Sequence, residues 1–190
     1  MTPTAARQAF LSLTLLVVVV TSLLAAPGPD GLTGAFLGAL MLAIAVSDVR
    51  RYQIPDVLTT AAVALALLRA GTIGPEVGWE AVLWAAVRGL AVALPFLALM
   101  AGYRWWRGRD GLGLGDIKLA GVAGAWLGLV TLFAVIELAT LAALGAYLLI
   151  GLIRRRPLKA TAFLPFGSFL APAIWLGWLF EALVDWHSAF

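Results

Sequence analysis

The amino-acid sequence predicts an all-α polytopic membrane protein, a bundle of about seven transmembrane helices with its N-terminus in the cytoplasm. Three observations support this fold class: 63% of the 190 residues are hydrophobic, the apolar residues form long runs, and the basic residues collect between alternate runs. Only 12% of the residues are charged, about half the fraction typical of a soluble domain, and the mean hydropathy is +1.00. The bilayer is therefore the expected solvent of this chain.

Seven apolar stretches approach the roughly 20 residues that a helix needs to cross the hydrocarbon core. The first resembles a secretory signal peptide, because Arg7 precedes it and small residues follow it. Its uncharged run is long for that role and favours a retained span. We therefore predict an extra N-terminal helix in residues 1–30 and a main helical domain in residues 31–190. The seven stretches are 9–27, 31–48, 56–73, 79–100, 112–130, 132–153 and 162–184.

The basic residues predict the orientation, since cytoplasmic loops are enriched in Lys and Arg. With seven crossings, ten of the 13 basic residues fall on the side of the N-terminus, which places the C-terminus outside. The tryptophans at the helix ends fit interfacial belts, with Trp105 and Trp106 inside and Trp79, Trp126 and Trp186 outside. The ten basic residues are Arg7, Arg50, Arg51, Arg104, Arg107, Arg109, Arg154, Arg155, Arg156 and Lys159.

Composition also excludes several classes of function. The chain has no cysteine, so disulfides, thiolate catalysis and cysteine metal sites are excluded. The single histidine, His187, has no second histidine with which to share a metal, and we expect it to lie at the membrane interface or in solvent. The basic clusters orient a membrane protein, and a nucleic-acid-binding face is not expected. We predict neither a metal nor a cofactor.

Asp48 and Asp116 are the strongest candidates for chemistry. Asp48 closes the second predicted span, and Asp116 lies about one turn inside the fifth, so both are expected near the cytoplasmic boundary. Carboxylates inside a membrane are costly and usually functional. The alternative is that each pairs with a neighbouring cation, Asp48 with Arg50 or Arg51 and Asp116 with Lys118.

Small residues favour burial of Asp116 inside the bundle. Steps of four residues from Asp116 reach Ala120, Gly124 and Gly128, a stripe on one helix face that allows another helix to approach closely. Glycines elsewhere in spans two and five also leave room for a second backbone or a substrate strand. These glycines are Gly34, Gly38, Gly113 and Gly115.

Two carboxyl groups within hydrogen-bonding reach share one proton and can hydrolyse a peptide bond. The ionised group takes a proton from the attacking water, while the protonated group hydrogen-bonds the scissile carbonyl and then protonates the leaving amine. A transporter or channel subunit that uses both aspartates as a proton or cation relay is the competing class, although the duplicated halves common in transporters are not seen. A purely structural membrane subunit is the second competitor.

Three motifs, in this order, resemble those of the type IV prepilin peptidases, which are intramembrane aspartyl proteases of the GxGD type. SDVRRYQIPDVLT (47–59) is similar to the segment around the family's first catalytic aspartate. GLGDIKLAG (113–121) contains GxGD followed by Lys-Leu, and LPFGSFLAP (164–172) is similar to a late Pro-Phe-Gly segment, with Ser168 where proline is common. The resemblance runs from about residue 35 to residue 180.

The resemblance implies that Asp48 and Asp116 are catalytic in a prepilin peptidase-like domain. It implies cleavage of the leader of prepilin or pseudopilin precursors at the cytoplasmic face of a bacterial inner membrane, so these precursors and the lipid bilayer are the expected partners. Many members also carry a four-cysteine zinc region and methylate the new N-terminus. Without cysteines, this chain resembles a peptidase-only member, and no oligomeric state is predicted. The supporting motif residues are Gly113, Gly115, Lys118, Pro55, Pro165 and Gly167.

The sequence also indicates roles for several other charged and helix-breaking residues. Lys118 lies about 200° from Asp116 around a helix and is expected to reach the membrane interface alone. Asp56 is expected to cap the third span. Pro165 and Gly167 would break the seventh span near its inner end, forming either a substrate groove or a simple kink.

Arg88 and Glu137 are the two charged residues well inside spans four and six. Counted from the outer edge, they lie at similar depths, and a buried ion pair between them is the hypothesis weighed against separate exposure at the membrane interface.

Overall fold

The computed structural model describes residues 3–73, 77–108, 113–154 and 164–188, and within these ranges it contains seven α-helices and no strand. The predicted all-α polytopic membrane protein with about seven helices is confirmed. The helices are α1 (Pro3–Ala25), α2 (Pro29–Arg51), α3 (Asp56–Thr72), α4 (Trp79–Arg107), α5 (Leu114–Trp126), α6 (Leu129–Ile153) and α7 (Gly167–Ser188).

Helix α5 is shorter than the membrane span predicted for this part of the chain. Among the described residues, five helices (α1, α2, α4, α6 and α7) are long and apolar enough to cross a membrane. Helix α5 has 13 residues and is therefore about 20 Å long, short of the roughly 30 Å hydrocarbon core, so the span predicted over 112–130 is too long. The chain becomes extended at Leu127, and Gly128 already caps α6.

Helix α5 is enclosed by protein. It packs against α3, α4, α6 and α7, and every residue from Leu119 to Trp126 is buried. A helix without a polar face is stable in such a position. Its contact with α4 depends on small residues, since a Cβ added to Gly124 would lie 2.9 Å from the carbonyl oxygen of Arg88. The predicted close approach along this face is confirmed, although Gly128 lies beyond the helix.

Helices α2 and α7 pack closely through two of the glycines of α2. A Cβ on Gly34 would overlap the indole ring of Trp178, and one on Gly38 would lie 2.8 Å from Cδ1 of Trp175. The Trp175 Nε1–H also donates to Ser22 Oγ of α1 at 3.0 Å. These contacts fix the register of α2 against α7, so the C-terminal end of α2 lies against the N-terminal end of α7.

The position predicted for Trp126 in the outer interfacial belt is wrong. Trp126 is 3% exposed, and its Nε1–H donates to the carbonyl oxygen of Ala62 at 2.9 Å. The guanidinium of Arg69 lies 5.7 Å from its ring centroid and pairs with Asp30, with Nε to Oδ1 at 2.6 Å. Because α5 is short, its last residue ends inside the bundle.

Of the other four tryptophans in the predicted belts, three are exposed, and the side chain of the fourth lies outside the described residues. Trp105, Trp106 and Trp79 are exposed, as interfacial residues should be. The side chain of Trp186 lies outside the described residues, as does that of His187.

The hypothesis of an ion pair between Arg88 and Glu137 is also wrong. In the described ranges α4 packs against α3 and α5, whereas α6 packs against α7 and α5, and the two helices make no contact with each other. Glu137 is exposed on α6, and the Nε of Arg88 is buried without a hydrogen-bond partner. Similar depth therefore does not bring the two side chains together.

Candidate active site

Asp48 lies near the C-terminal end of α2 and is 5% exposed. Its Oδ2 accepts a hydrogen bond from the backbone N–H of Ser168 at 2.8 Å, and the N–H of Gly167 also interacts with the carboxylate. Both donors belong to the first turn of α7, where unpaired N–H groups favour an anion. Asp48 is therefore held by the start of α7, and pairing with Arg50 or Arg51 is not observed among the described residues.

Asp116 lies in the first turn of α5, two residues after the helix begins. Its N–H donates to the carbonyl oxygen of Gly113 at 3.1 Å, and a Cβ at Gly113 would lie 3.1 Å from Asp116 Oδ2. A larger residue at 113 would therefore crowd the carboxylate. The N–H of Gly167 interacts with Asp116 as well as with Asp48, and the two carboxylates interact electrostatically. The structure thus brings together the two aspartates singled out from the sequence.

Ile54, part of the first motif, connects the three motifs, a packing role that the sequence did not predict. A Cβ at Gly115 would lie 2.9 Å from Ile54 Cβ, and a Cβ at Gly167 would lie 2.6 Å from Ile54 Cδ1. Both glycines therefore make room for this one side chain, which lies in the α2–α3 connection beside Pro55. A large apolar residue directly before a proline in a polar loop was the available signal.

The Pro165–Ser168 turn directs the start of α7 toward Asp48. The carbonyl oxygen of Pro165 accepts hydrogen bonds from Ser168 Oγ at 2.6 Å and from Ser168 N at 3.2 Å. Gly167 begins α7, so this segment does not break the seventh helix but starts it. A Cβ at Gly167 would also lie 3.1 Å from Asp48 Oδ2, which explains glycine at this position.

Lys118 and Asp56 form an ion pair that neither sequence expectation anticipated. Lys118 Nζ lies 2.6 Å from Asp56 Oδ1, with the side chains 44% and 73% exposed. Lys118 therefore does not extend to the interface alone and does not pair with Asp116. Asp56 does not cap α3 either, because Pro55 occupies the N-cap position and no side chain caps that helix.

A polar cavity of about 500 Å³ lies beside these residues. Its volume falls in the range of ligand pockets and accommodates a short stretch of extended peptide. Among the described residues, no group of three or more His, Cys, Asp or Glu side chains could hold a metal ion. The lining includes Asp48, Gln53, Pro55, Asp56, Asp116 and Lys118.

Residues 35–153 match the sequence profile of the type IV leader peptidase family. The chain is 33% identical over 188 residues to a prepilin leader peptidase/N-methyltransferase of Aeromonas hydrophila, covering 97% of this chain and 62% of that protein. It is 34% identical over 132 residues to the leader peptidase HopD of Escherichia coli, covering 69% of this chain and 82% of that protein.

A protein of Burkholderia pseudomallei with the same name as the Aeromonas hydrophila relative is 38% identical over 149 residues, which cover 76% of this chain and 45% of that protein. The chain thus spans less than two thirds of the length of either bifunctional relative. No solved structure matches it.

Proposed function

Because this chain belongs to the type IV leader peptidase family, we propose that it is a membrane-embedded aspartic endopeptidase. Its proposed substrates are prepilin or pseudopilin-like precursors, whose leader it removes at the cytoplasmic face of a bacterial inner membrane. One observation carries the proposal: Asp48 and Asp116, from separate helices, both interact with the N–H of Gly167 and line one polar cavity. They are the proposed catalytic residues.

In the proposed reaction the two carboxyl groups share one proton. The ionised group accepts a proton from water as the water oxygen attacks the scissile carbonyl carbon, and the protonated group hydrogen-bonds the carbonyl oxygen. The tetrahedral intermediate then breaks its C–N bond as a carboxyl group donates a proton to the leaving amine. Water and one peptide bond are consumed, and a carboxyl and an amino terminus are formed.

The other motif residues support the proposal through position. Gly113 leaves space for the Asp116 carboxylate, while Gly115 and Gly167 accept the side chain of Ile54. Pro55 occupies the N-cap position of α3, and the carbonyl oxygen of Pro165 accepts a hydrogen bond from Ser168 Oγ. We infer that these residues hold the two aspartates at a fixed separation, which matters because small displacements of catalytic groups cost rate steeply.

The distribution of charge supports a cytoplasmic site. Asp48 lies three residues before Arg51, and Arg50 and Arg51 are exposed at the end of α2. Arg104 and Arg107 lie in the last turn of α4, which the predicted topology assigns to the same side of the membrane. Cytoplasmic loops are the basic ones, so we place the proposed active site at the inner face.

The proposal is confined to peptide hydrolysis. The names of the Aeromonas hydrophila and Burkholderia pseudomallei relatives include an N-methyltransferase activity, whereas that of the Escherichia coli relative is a leader peptidase alone. The two aspartates account for hydrolysis and not for methyl transfer. We expect mass spectrometry of the cleaved precursor to show an unmodified N-terminal amine when this chain acts alone.

The decisive experiment is leader cleavage by purified protein carrying Asp48→Asn or Asp116→Asn. Each substitution should abolish cleavage, and the double variant should be no worse, because the two residues act as one unit. Glu137→Gln is the matched control, since Glu137 is an exposed carboxylate on α6 and does not line the polar cavity. Normal turnover by Asp116→Asn in a folded, membrane-inserted protein would overturn the proposed function.

A further inference from the structure

Two residues of opposite charge lie inside membrane-spanning helices without a partner in the described part of the chain. Glu137, on α6, is exposed, and Arg88, on α4, is half-buried. The Nε of Arg88 is enclosed and has no hydrogen-bond partner, and neither residue belongs to an ion pair of the described ranges. A charge inside the hydrocarbon is costly unless it is paired, so both residues favour a partner from outside their own copy of the chain.

Both charges lie too deep to reach the nearer end of their helix. Arg88 follows Trp79, the first residue of α4, by nine positions, and Glu137 follows Leu129, the first residue of α6, by eight positions. These separations correspond to about 13 and 12 Å along the helix axis. An arginine side chain extends roughly half that distance and a glutamate side chain less, so neither charge reaches the interface by extension alone.

The helical positions of the two charges turn them away from the neighbouring helices of their own chain. Val82 of α4 packs beside α3, and Val135 of α6 packs beside α7. At about 100° per residue, Arg88 lies about 120° around α4 from Val82, and Glu137 lies about 200° around α6 from Val135. Helices α4 and α6 make no contact with each other in the described ranges. The two charges therefore belong to surfaces that the described chain leaves uncovered.

A cavity between the two helices relates the depths of the two charges. Phe96 of α4 and Thr140 of α6 both line this cavity. Arg88 lies eight residues before Phe96 and Glu137 three residues before Thr140, or about 12 and 4–5 Å toward the N-terminal ends of their helices. The offset of about 7–8 Å along the bundle is within the combined reach of an arginine and a glutamate side chain. A contact between neighbouring molecules therefore needs no shift in depth.

We propose that two copies of this chain form a two-fold dimer in the membrane, in which α4 of each copy packs against α6 of the other and Arg88 pairs with Glu137 of the partner subunit. A two-fold axis along the membrane normal keeps every residue at its own depth and repeats the contact, which gives two ion pairs per dimer. Charge complementarity argues for a second copy, because one chain supplies both charges on the two sides of a single gap.

Apolar side chains beside the two charges supply the remaining contact surface. Trp84, one turn before Arg88, is 64% exposed, and Phe133, one turn before Glu137, is 68% exposed. Lipid tails cover such side chains as well as another helix does, so polar contacts specify which helices associate. Each copy also contains both Asp48 and Asp116. The dimer therefore goes beyond the proposed function and does not depend on it.

The first experiment measures the dissociation constant of the dimer by energy transfer between labelled copies in phospholipid vesicles of increasing lipid content. Arg88→Gln and Glu137→Gln each remove both ion pairs and should raise that constant by about tenfold or more, since a polar contact between membrane helices typically changes association several-fold. The charge-reversed variant Arg88→Glu with Glu137→Arg should recover most of the loss. Glu80→Gln is the matched control, because Glu80 is an exposed carboxylate in the first turn of α4, and it should leave the constant unchanged.

A second experiment locates the contact. The chain has no cysteine, so one introduced cysteine per copy can be linked only to another copy. Differently tagged copies carrying Arg88→Cys and Glu137→Cys, mixed in vesicles, keep one of the two ion pairs and should be joined by a short bifunctional thiol reagent. Leu138→Cys in place of Glu137→Cys should give little product, because Leu138 is exposed but lies about 100° around α6 from Glu137.

Three outcomes would contradict the dimer. The first is a monomeric unmodified protein at every lipid content, and the second is a dissociation constant that neither substitution changes. The third is equal linkage at positions 137 and 138, which indicates random encounters. Should Arg88→Gln not fold, Glu137→Gln decides alone, since its side chain is exposed. Leader cleavage should persist in the monomeric variants, so failure of the dimer leaves the proposed function untouched.

Discussion

The backbone N–H of Ser168 donates a hydrogen bond to Asp48 Oδ2 at 2.8 Å, across 120 positions of sequence. This bond joins the end of α2 to the start of α7, and the packing of Trp178 against Gly34, farther along both helices, sets their register. The orientation of the Asp48 carboxylate is therefore determined by backbone groups of a distant segment.

Replacing Ser168 by proline removes this donor, because proline has no backbone N–H. A hydrogen bond to a charged group is worth roughly 1.5–3 kcal/mol, but the N–H of Gly167 remains, so we expect kcat for leader cleavage to fall by no more than about tenfold with KM little changed. Ser168→Ala keeps the N–H and loses only the hydroxyl contact to Pro165, and it should retain near-normal turnover. Equal rates for the two variants would show that the bond does not position Asp48.

Gly167→Ala should be far more damaging. The added Cβ would lie 2.6 Å from Ile54 Cδ1 and 3.1 Å from Asp48 Oδ2, so either the carboxylate or the α2–α3 connection must move. Misplacement by about an ångström can cost 10²-fold in rate, and we expect a loss of that order in kcat. Gly145→Ala is the control on α6, because its Cβ would meet nothing within 4 Å. That variant should keep full activity and unfold at the same or a higher temperature.

The Lys118–Asp56 pair should contribute little to stability despite its short distance. Its side chains are 44% and 73% exposed, and exposed pairs typically contribute no more than about 1 kcal/mol. A double-mutant cycle with Lys118→Ala and Asp56→Asn, read as thermal unfolding in detergent, should give a coupling energy below that value that decreases further with added salt. Both single variants should retain substantial cleavage. Loss of cleavage in Asp56→Asn would instead place Asp56 in the reaction.

The Arg69–Asp30 pair should contribute more. Nε and Nη2 of Arg69 bond the two carboxylate oxygens at 2.6 and 3.2 Å, the side chains are only 28% and 24% exposed, and the guanidinium also lies over Trp126. We expect Arg69→Ala to lower the free energy of unfolding by about 1–3 kcal/mol, and Arg69→Lys to recover little of it, because an ammonium lacks the planar fork. Arg107→Ala, which removes an exposed guanidinium 4.6 Å from the Trp106 ring centroid, should change stability by less than about 1 kcal/mol.

The predicted orientation can be tested with reporters. Fusions after Arg107 and after Arg154, at the ends of α4 and α6, should report a cytoplasmic location, and fusions at the C-terminus an external one. A cytoplasmic C-terminus would mean that one of the seven helices does not cross the membrane, and the short helix α5 would be the first to reconsider.

The number and approximate bounds of the helices could be predicted because long apolar runs have few alternatives in a bilayer. The length of α5 could not, since the apolar run continues past Trp126 into α6, and only the extended backbone at Leu127 separates the two helices. The burial of Trp126 could not be predicted either, because it depends on α5 ending at this residue.

The two aspartate side chains of the candidate site could be predicted from the sequence, but the backbone N–H groups that contact them could not. Asp48 and Asp116 are identifiable as charges in apolar surroundings and as parts of motifs. The N–H groups of Gly167 and Ser168 cannot be recognised in the sequence as special donors, because every non-proline residue has a backbone N–H. The Lys118–Asp56 pair joins residues 62 positions apart, a tertiary contact that neither helical periodicity nor local charge pattern reports.

The donors to Asp48 have a consequence for biosynthesis. A nascent chain that has inserted α1 to α6 already contains both aspartates, but the N–H groups that hold Asp48 belong to α7, the last of the described helices in sequence order. The arrangement is therefore completed only when α7 docks against α2. A translation product that stops before residue 164 would carry the two acids without the turn that aligns them, so we expect it not to perform the proposed cleavage.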